Sequence, residues 1–281
     1  MEILRTVAEL RRWSREERRQ GGNTIGLVPT MGALHAGHAS LIRAAAAACD
    51  KVAVSIFVNP TQFGPNEDYA RYPRTFDADC ALAEAQGAHV VFAPSVEELY
   101  PAGAATFVEV EGLSERLDGH SRPGHFRGVA SVVAKLLIAA EPDCAFFGQK
   151  DAAQVAVLRR MVTDLRLGTE LVVCPIVREA DGLALSSRNV YLSPAERAQA
   201  LTLSRALRAA EAVVAAGERR AAALISAARQ VFDAEPAVRV DYIEPVNWAT
   251  LEPVGLAAPG SLFAVAAWVG NTRLIDNTIL G

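Results

Sequence analysis

The sequence predicts an α/β protein in which helices cover both faces of a parallel sheet. Short apolar runs alternate with longer helical patterns along the first two thirds of the chain, and these runs lack the polar alternation of half-exposed strands. Hydrophobic residues make up 51% of the 281 residues, which is enough for a sizeable core. We expect residues 1–176 to form a Rossmann-like domain and residues 177–281 a smaller α+β domain.

The N-terminal elements follow from local signals. The turn Gly21-Gly22-Asn23 separates an amphipathic opening helix from the first apolar run, and Pro29 ends that run. Strands are predicted where continuous apolar runs recur, and helices where alanine-rich or helically periodic segments lie between them. The predicted strands are 24–28, 52–58, 89–93, 144–147 and 171–177, and the predicted helices between them are 39–49, 74–86, 126–140 and 151–165.

The pattern changes after about residue 176. Two long helical patterns, 194–216 and 219–232, meet at Gly217. Strand patterns follow at 239–243, 262–268 and 272–279, with turn residues between them. Consecutive helices followed by consecutive strands indicate a separate α+β domain rather than further βαβ units.

Composition argues against several classes of protein. The formal charge of −4 gives no overall basic field, which disfavours a nucleic-acid-binding module. The four cysteines are far apart and form no CxxC pair, so we expect reduced thiols rather than a disulfide framework or a zinc site. The N-terminus lacks an apolar signal segment, and Pro259-Gly260 interrupts the longest uncharged stretch, so we expect a cytoplasmic protein without a membrane span.

The first candidate site lies where the first predicted strand meets the first sheet-covering helix, a place where open α/β sheets bind nucleotides. Gly32 and Gly37 let the backbone approach a phosphate, and the start of the helix offers unpaired N–H groups. His35 and His38 share a face if the helix has begun there, and two imidazoles can donate hydrogen bonds to phosphate oxygens. Histidines that only cap the helix are the simpler alternative, but the two glycines and the position after strand one favour function.

A second candidate follows another predicted parallel strand, in the segment Gly148-Gln149-Lys150-Asp151. Lys150 is one of only three lysines among 28 basic residues, and a mobile ammonium suits a developing phosphoryl charge. A surface lysine beside a helix-capping aspartate is the alternative, and taken alone it is the more common arrangement.

Three further polar segments complete the candidate site. Ser186, Ser187 and Arg188 follow a flexible Gly182 and can close over a triphosphate. Gln62, after the second strand, and Gln154, on the helix after Lys150, are neutral amides that can orient hydroxyl and carboxylate groups. Two interpretations of the segment 120–128 stay open, a mobile basic flap and an ordinary loop.

These motifs resemble those of one family. The segments 29–38, 58–63, 72–75, 122–128, 147–151 and 181–189 are similar, in content and order, to the signature blocks of the pantothenate synthetase (pantoate–β-alanine ligase) family. The histidine motif alone is shared with a wider nucleotidyltransferase superfamily that includes class I aminoacyl-tRNA synthetases. Those synthetases carry a Lys-Met-Ser-Lys-Ser loop where this sequence has Ser-Ser-Arg, which favours the ligase family.

The resemblance implies an AMP-forming ligase that joins (R)-pantoate to β-alanine in pantothenate and coenzyme A biosynthesis. Pantoate and ATP are expected to give pantoyl adenylate and pyrophosphate, after which β-alanine attacks the adenylate. Mg²⁺ is expected to accompany ATP as substrate, without a tightly bound organic cofactor. The resemblance also implies a homodimer formed through the N-terminal domain and a C-terminal domain that closes over the active site.

The resemblance further assigns roles to single residues. His38 is expected to be the proton donor, with His35 and Lys150 beside it in catalysis. Gln62 and Gln154 are expected to bind pantoate, with Gln62 also near β-alanine, and no protein ligand to a metal is assigned. The expected ATP-binding residues are Met31, Gly32, Ala33, Leu34, His35, Ala36, Gly37, His38, Gly148, Gln149, Lys150, Asp151, Val177, Leu185, Ser186, Ser187 and Arg188.

Two other functions stay open at the level of sequence. A different adenylyltransferase would join AMP to a phosphorylated acceptor, but a second phosphate calls for extra Arg or Lys rather than the amides Gln62 and Gln154. A non-catalytic nucleotide-binding regulator could keep the same fold. The joint presence of the two histidines, Lys150 and the Ser-Ser-Arg segment weighs against that, and adenylate formation distinguishes the two.

Overall fold

The computed structural model describes residues 1–65 and 67–281. In this part of the chain the larger sheet has six parallel strands in the order β1-β4-β3-β2-β5-β6. The strands are β1 (Glu2–Leu4), β2 (Ile25–Thr30), β3 (Lys51–Ile56), β4 (Val90–Phe92), β5 (Cys144–Gly148) and β6 (Glu170–Cys174). The prediction of an α/β, Rossmann-like parallel sheet is confirmed.

Helices cover both faces of this sheet, as the continuous apolar strands require. They are α1 (Val7–Gly21), α2 (Ala36–Ala48), α3 (Phe76–Ala85), α4 (Val96–Leu99), α5 (Asp118–Ser121), α6 (His125–Ala140) and α7 (Ala152–Asp164). Leu10, Phe126 and Leu158 bring α1, α6 and α7 into the core on one face, and Ile42 and Ala83 bring α2 and α3 into the core on the other. Burying one large apolar side chain contributes about 1.5–3 kcal/mol.

The rest of the chain forms the predicted smaller α+β part. Its elements are α8 (Pro194–Ala215), α9 (Ala221–Asp233), β7 (Val238–Val246), β8 (Leu262–Val269) and β9 (Thr272–Ile279). The three strands form an antiparallel sheet in sequence order, and Leu203, Leu224 and Phe263 lie in the core between this sheet and the two helices. Val246 and Leu262 also pack into the core beneath the larger sheet, so the two parts are in direct apolar contact.

Several boundaries differ from the prediction for local reasons. The edge strand β1 was not predicted, because it has only three residues and only Leu4 of them is buried. Helix α2 begins at Ala36, three residues early, because His35 caps it. The strand predicted over 171–177 ends at Cys174, since the following Pro175 has no N–H group for the ladder.

The segment 120–128 is not a loop over its whole length. It contains the end of α5 and the start of α6, and His125, at the first position of α6, is buried. Among residues 1–65 and 67–281, no helix is both long and apolar enough to cross a membrane.

Candidate active site

The candidate site lies where the order of strands reverses. From β2 the chain moves to β3 and β4 on one side, and later to β5 and β6 on the other. The carboxyl ends of β2 and β5 are therefore adjacent at the switch point, where doubly wound sheets bind their ligands. The two loops that the sequence singles out, 31–38 after β2 and 148–151 after β5, meet there and line one cavity.

The two histidines form a reciprocal cap at the start of α2. His35 is the N-cap residue, and its Nδ1 accepts the N–H of Gly37 at 3.1 Å. His38 Nδ1 accepts the N–H of His35 at 3.3 Å, and the two ring centroids are 4.1 Å apart. Because each Nδ1 accepts a backbone proton, the ring hydrogen of a neutral imidazole is assigned to Nε2. Each ring can therefore donate a hydrogen bond from its outer nitrogen.

Both imidazoles are neutral at physiological pH. Burial lowers the pKa of His35, and the nearby Lys150 ammonium lowers it further. Burial, followed by the neighbouring His35 ring, lowers the pKa of His38 to about 3. A neutral imidazole at this position acts as a hydrogen-bond donor and has no imidazolium proton to transfer.

A buried carboxylate shapes the turn before the histidines. Asp79, on α3, is 2% exposed and accepts the N–H groups of Ala33 at 2.9 Å and Leu34 at 2.8 Å. Thr75 donates its hydroxyl to the same carboxylate at 3.0 Å. Gly32 has a φ of +84°, and a Cβ there would lie 2.9 Å from an Asp79 oxygen, so this position requires glycine. The backbone donors of the turn therefore bind Asp79 instead of pointing into the cavity.

Lys150 faces the histidines from the loop after β5. A 3₁₀ turn, Gln149–Asp151, joins β5 to α7 and carries Lys150 into the cavity lining. Its Nζ atom lies 3.6 Å from the nearer Asp151 carboxylate oxygen, which is longer than a direct hydrogen bond. The ammonium is therefore held loosely enough to meet an incoming anion.

The Ser-Ser-Arg segment is tied to the chain before α3. Arg188 forms a two-pronged ion pair with Asp68, with Nε and Nη2 each 3.1 Å from a carboxylate oxygen. The Tyr72 and Ser187 hydroxyls are 3.3 Å apart. Ser186 caps the 3₁₀ turn that starts at Ser187, by accepting the N–H of Arg188 at 3.3 Å. These contacts hold the segment over the cavity.

The amide of Gln62 has a fixed orientation. Asn59, which is buried, donates one Nδ2 hydrogen to Gln62 Oε1 at 3.1 Å and the other to the Gly128 carbonyl at 3.2 Å. Its Oδ1 accepts from the Thr61 N–H and hydroxyl, at 3.3 and 2.9 Å. Gln62 Nε2 lies 3.1 Å from Met31 Sδ, so the amide N–H side of Gln62 is turned toward the cavity.

His125 supports the same residue and was not assigned a role from the sequence. Its Nε2 lies 2.9 Å from Arg122 Nη1, and a guanidinium can only donate, so Nε2 accepts and Nδ1–H donates to the Gln62 carbonyl at 2.8 Å. Glu67 pairs with Arg122 through two contacts of 2.7 and 2.6 Å. Burial, aided by the Arg122 charge, lowers the pKa of His125 to about 4, so this ring is also neutral.

The structure brings most of the predicted site residues together. Those that line the shared cavity are Met31, His35, Gly37, His38, Gln62, Gly148, Lys150, Asp151, Gln154, Val177, Leu185, Ser186, Ser187 and Arg188. The other predicted ATP-binding residues lie outside that lining; they are Gly32, Ala33, Leu34, Ala36 and Gln149. The sequence offered no signal for Asp79, whose partner in the site is 46 residues away. His125 lies in the segment 122–128 that carries the family resemblance, but its contact with Gln62, 63 residues away, was not predicted.

Comparison with known proteins identifies the family. The model of the pantoate-beta-alanine ligase family matches residues 2–279. The chain belongs to this family. It is 62% identical to the pantothenate synthetase of Acidobacterium capsulatum, with 100% of this chain and 97% of that protein aligned. It is 56% identical to the pantothenate synthetase of Thermotoga neapolitana over the full length of both chains.

Solved structures of family members share the whole fold. The crystal structure of pantothenate synthetase from Thermus thermophilus matches with a TM-score of 0.94 at 47% identity, covering 99% of both chains. The pantoate-β-alanine ligase of Francisella tularensis, solved in complex with β-γ ATP and β-alanine, matches with a TM-score of 0.80 at 33% identity and covers 99% of this chain and 97% of that one. The predicted enzyme class, a pantoate–β-alanine ligase, is confirmed.

Proposed function

We propose that this ligase condenses (R)-pantoate with β-alanine through a pantoyl-adenylate intermediate, converting ATP to AMP and pyrophosphate. The observation that carries the proposal is the cavity at the switch point, where two neutral imidazoles and one loosely held ammonium face each other. Such a set of donors suits phosphate groups whose negative charge increases during reaction. The Francisella relative, whose structure contains β-γ ATP and β-alanine, supports the same ligand classes for this chain.

The chemistry requires activation of the pantoate carboxylate. A carboxylate is a poor acyl donor because oxide would be its leaving group. Attack of one carboxylate oxygen on the α-phosphorus of ATP forms a mixed anhydride and breaks the bond to pyrophosphate. The β-alanine amine, in its unprotonated form, then attacks the acyl carbon, AMP leaves with the bridging oxygen, and the new amide nitrogen loses a proton. Two easier steps replace one difficult step.

In this scheme His35 and His38 donate hydrogen bonds from Nε2 to phosphate oxygens. Pyrophosphate leaves as a stable anion and needs no proton in the bond-breaking step. A neutral imidazole is therefore sufficient, and we assign His38 as a hydrogen-bond donor rather than the proton donor that the family resemblance suggests. Removing one preorganised donor of this kind typically lowers turnover by about 10²–10³.

Lys150 and the Ser-Ser-Arg segment serve the leaving pyrophosphate in this proposal. The Lys150 ammonium is 3.6 Å from its acidic neighbour Asp151, whereas Arg188 is paired with Asp68 and would exchange that carboxylate for a phosphate when ATP binds. The rest of the nucleotide pocket is lined by other predicted ATP-binding residues, which are Met31, Gly37, Gly148, Asp151, Val177 and Leu185.

Pantoate would lie between the two amides. Gln62 presents its amide N–H side to the cavity, with its orientation fixed by Asn59, and Gln154 lines the cavity from the first turn of α7. Neutral amides can bind both the hydroxyl and the carboxylate groups of pantoate without adding charge. Gln62 would also lie close to β-alanine, since the amine must reach the pantoyl carbon.

The residues present suit Mg²⁺ that arrives with ATP. Within the part of the chain that the structure describes, no cluster of three or more His, Cys, Asp or Glu side chains could hold a metal ion. Asp151 is the carboxylate in the cavity lining. Mg²⁺ is commonly held by one or two carboxylates together with substrate phosphates and water, and when bound it would neutralise phosphate charge.

We also propose that residues 1–176 and 177–281 form separate domains, that the second closes over the site, and that the enzyme is a cytoplasmic homodimer formed through the first. The core cluster between α8, α9 and the antiparallel sheet supports the division into two domains. The closure and the dimer rest on the family resemblance. Mass measurement in solution tests the dimer.

Isotope transfer tests the adenylate route. Pantoate labelled with ¹⁸O in its carboxylate should deliver one labelled oxygen to AMP and retain the other in the pantothenate amide. Label in inorganic phosphate, together with ADP, would indicate an acyl-phosphate route and would overturn the proposal. Unlabelled AMP would exclude carboxylate attack on the α-phosphorus.

A further inference from the structure

The last strand of the C-terminal sheet contacts both loops that carry the proposed phosphate-binding groups. Asp276 and Asn277 are adjacent on β9, and each is only 3% exposed. Buried polar side chains on a strand need partners, because leaving them unpaired away from water is destabilising. Here the partners lie in the two nucleotide loops rather than in the sheet.

Asn277 holds the loop after β5. Its Nδ2 donates to the carbonyl oxygens of Gln149 at 3.0 Å and Lys150 at 2.9 Å, and its Oδ1 accepts from the Gln149 side-chain amide at 3.2 Å. One side chain therefore fixes two consecutive peptide units. The second of these belongs to Lys150 itself, so the amide of Asn277 sets the position from which the Lys150 side chain enters the cavity.

Asp276 holds the loop that leads to the Ser-Ser-Arg segment. Its two oxygens accept from Arg178 Nη1 at 2.6 Å and Nη2 at 2.9 Å. Arg178 Nη1 also donates to the Gly182 carbonyl at 3.1 Å, and Arg178 pairs with Ala184 through an antiparallel bridge. Arg178 therefore holds the two ends of the turn 178–184 together. The backbone N–H of Asn277 donates to Asp276 Oδ1 at 2.8 Å, so the two residues that hold the loops are also bonded to each other.

We propose that Asp276 and Asn277 are positioning residues that fix the Lys150 loop and the Ser-Ser-Arg loop to the same strand, so that both reach one triphosphate. This inference rests on the proposed function, in which Lys150 acts in adenylate formation. Asn277 acts through Lys150 and does not itself touch the reacting atoms. A displacement of about 1 Å in a catalytic group can lower the rate about 10²-fold.

Two substitutions test the Asn277 anchor. Asn277→Ala removes the whole amide, whereas Asn277→Asp keeps its size and the acceptor for Gln149 but loses both donors. We expect each variant to form adenylate about 10- to 100-fold more slowly. Both should convert supplied pantoyl adenylate and β-alanine to pantothenate at the wild-type rate, because pyrophosphate is absent from that step. Thr278→Ala is the matched control, since neighbouring strand residues point to opposite faces and Thr278 bonds to Glu211 instead.

Combination with Lys150→Ala separates positioning from a general structural effect. If Asn277 acts through Lys150, Asn277→Ala should cause no further loss of adenylate formation in a Lys150→Ala background. An equal fold-loss in both backgrounds would overturn the proposal, as would equal losses in both half-reactions or a matching loss in Thr278→Ala. If Asn277→Ala does not fold, Asn277→Ser, which is small, uncharged and keeps a hydroxyl donor, carries the same comparison. A wild-type enzyme that forms no pantoyl adenylate would instead contradict the proposed function.

Discussion

The two ring nitrogens of His38 have separate tasks, and three substitutions separate them. Nδ1 accepts the His35 N–H at the helix cap, and Nε2 is proposed to donate to phosphate. In His38→Asn the side-chain oxygen can replace Nδ1, but nothing replaces Nε2. In His38→Gln the amide nitrogen can take the place of Nε2. His38→Ala retains neither group.

Each lost hydrogen bond has an expected effect on turnover or on stability. Without the Nε2–H donor, turnover should fall by about 10²–10³, equivalent to about 2.7–4 kcal/mol of transition-state stabilisation. Without the capping hydrogen bond, the free energy of unfolding should fall by about 1 kcal/mol. His38→Ala should show both losses, and His38→Asn the turnover loss with near wild-type stability. His38→Gln should keep more turnover than either while losing the cap.

The assay combines pyrophosphate release in the presence of pantoate, MgATP and β-alanine with urea denaturation. The decisive comparison is His38→Gln against His38→Asn. Equal and severe losses in both would contradict the neutral-donor assignment, because the glutamine amide can donate a hydrogen bond but has no titratable proton. Near wild-type turnover in folded His38→Ala would remove His38 from the mechanism.

Three further outcomes are expected. Lys150→Ala should be severely impaired in adenylate formation yet still convert supplied pantoyl adenylate with β-alanine; equal losses in both half-reactions would indicate a structural role. Gln62→Ala should weaken apparent pantoate affinity by about 1–3 kcal/mol and leave ATP affinity unchanged; the reverse pattern would contradict the division of the cavity. His125 has a pKa of about 4 in the fold against an ordinary 6.5, so the unfolded chain binds more protons between those values. The free energy of unfolding should therefore be retained above pH 6.5 and lose about 3 kcal/mol from this group as pH falls to 4. Urea unfolding at several pH values checks this, and a His125→Asn variant with an unchanged slope would refute it.

The parts of the site that were predicted from the sequence follow from local rules. Glycines and histidines after one parallel strand, and a rare lysine after another, are expected at the same edge of the sheet because the carboxyl ends of parallel strands share an edge. That argument needed only the alternation of strands and helices. The pairing of β2 with β5, which brings His35, His38 and Lys150 to one cavity, was not predicted and is known only from the structure.

The supporting contacts could not be predicted in this way. Asp79 reaches the histidine turn from 46 residues away, and Asn277 reaches the Gln149 side chain across 128 residues. No periodicity or spacing encodes such pairs, since they arise only when the sheets and helices pack. The edge strand β1 was missed for a different reason: three residues are too few to show a pattern, and only its pairing with β4 defines it.

Exchange of labelled pyrophosphate into ATP tests the central claim most directly. The enzyme should catalyse this exchange when pantoate and Mg²⁺ are present and β-alanine is absent, because adenylate formation is reversible and complete without the amine. Omitting pantoate should abolish the exchange, since its carboxylate is the nucleophile at the α-phosphorus. No exchange with pantoate, or exchange that requires a phosphorylated acceptor instead, would contradict the account.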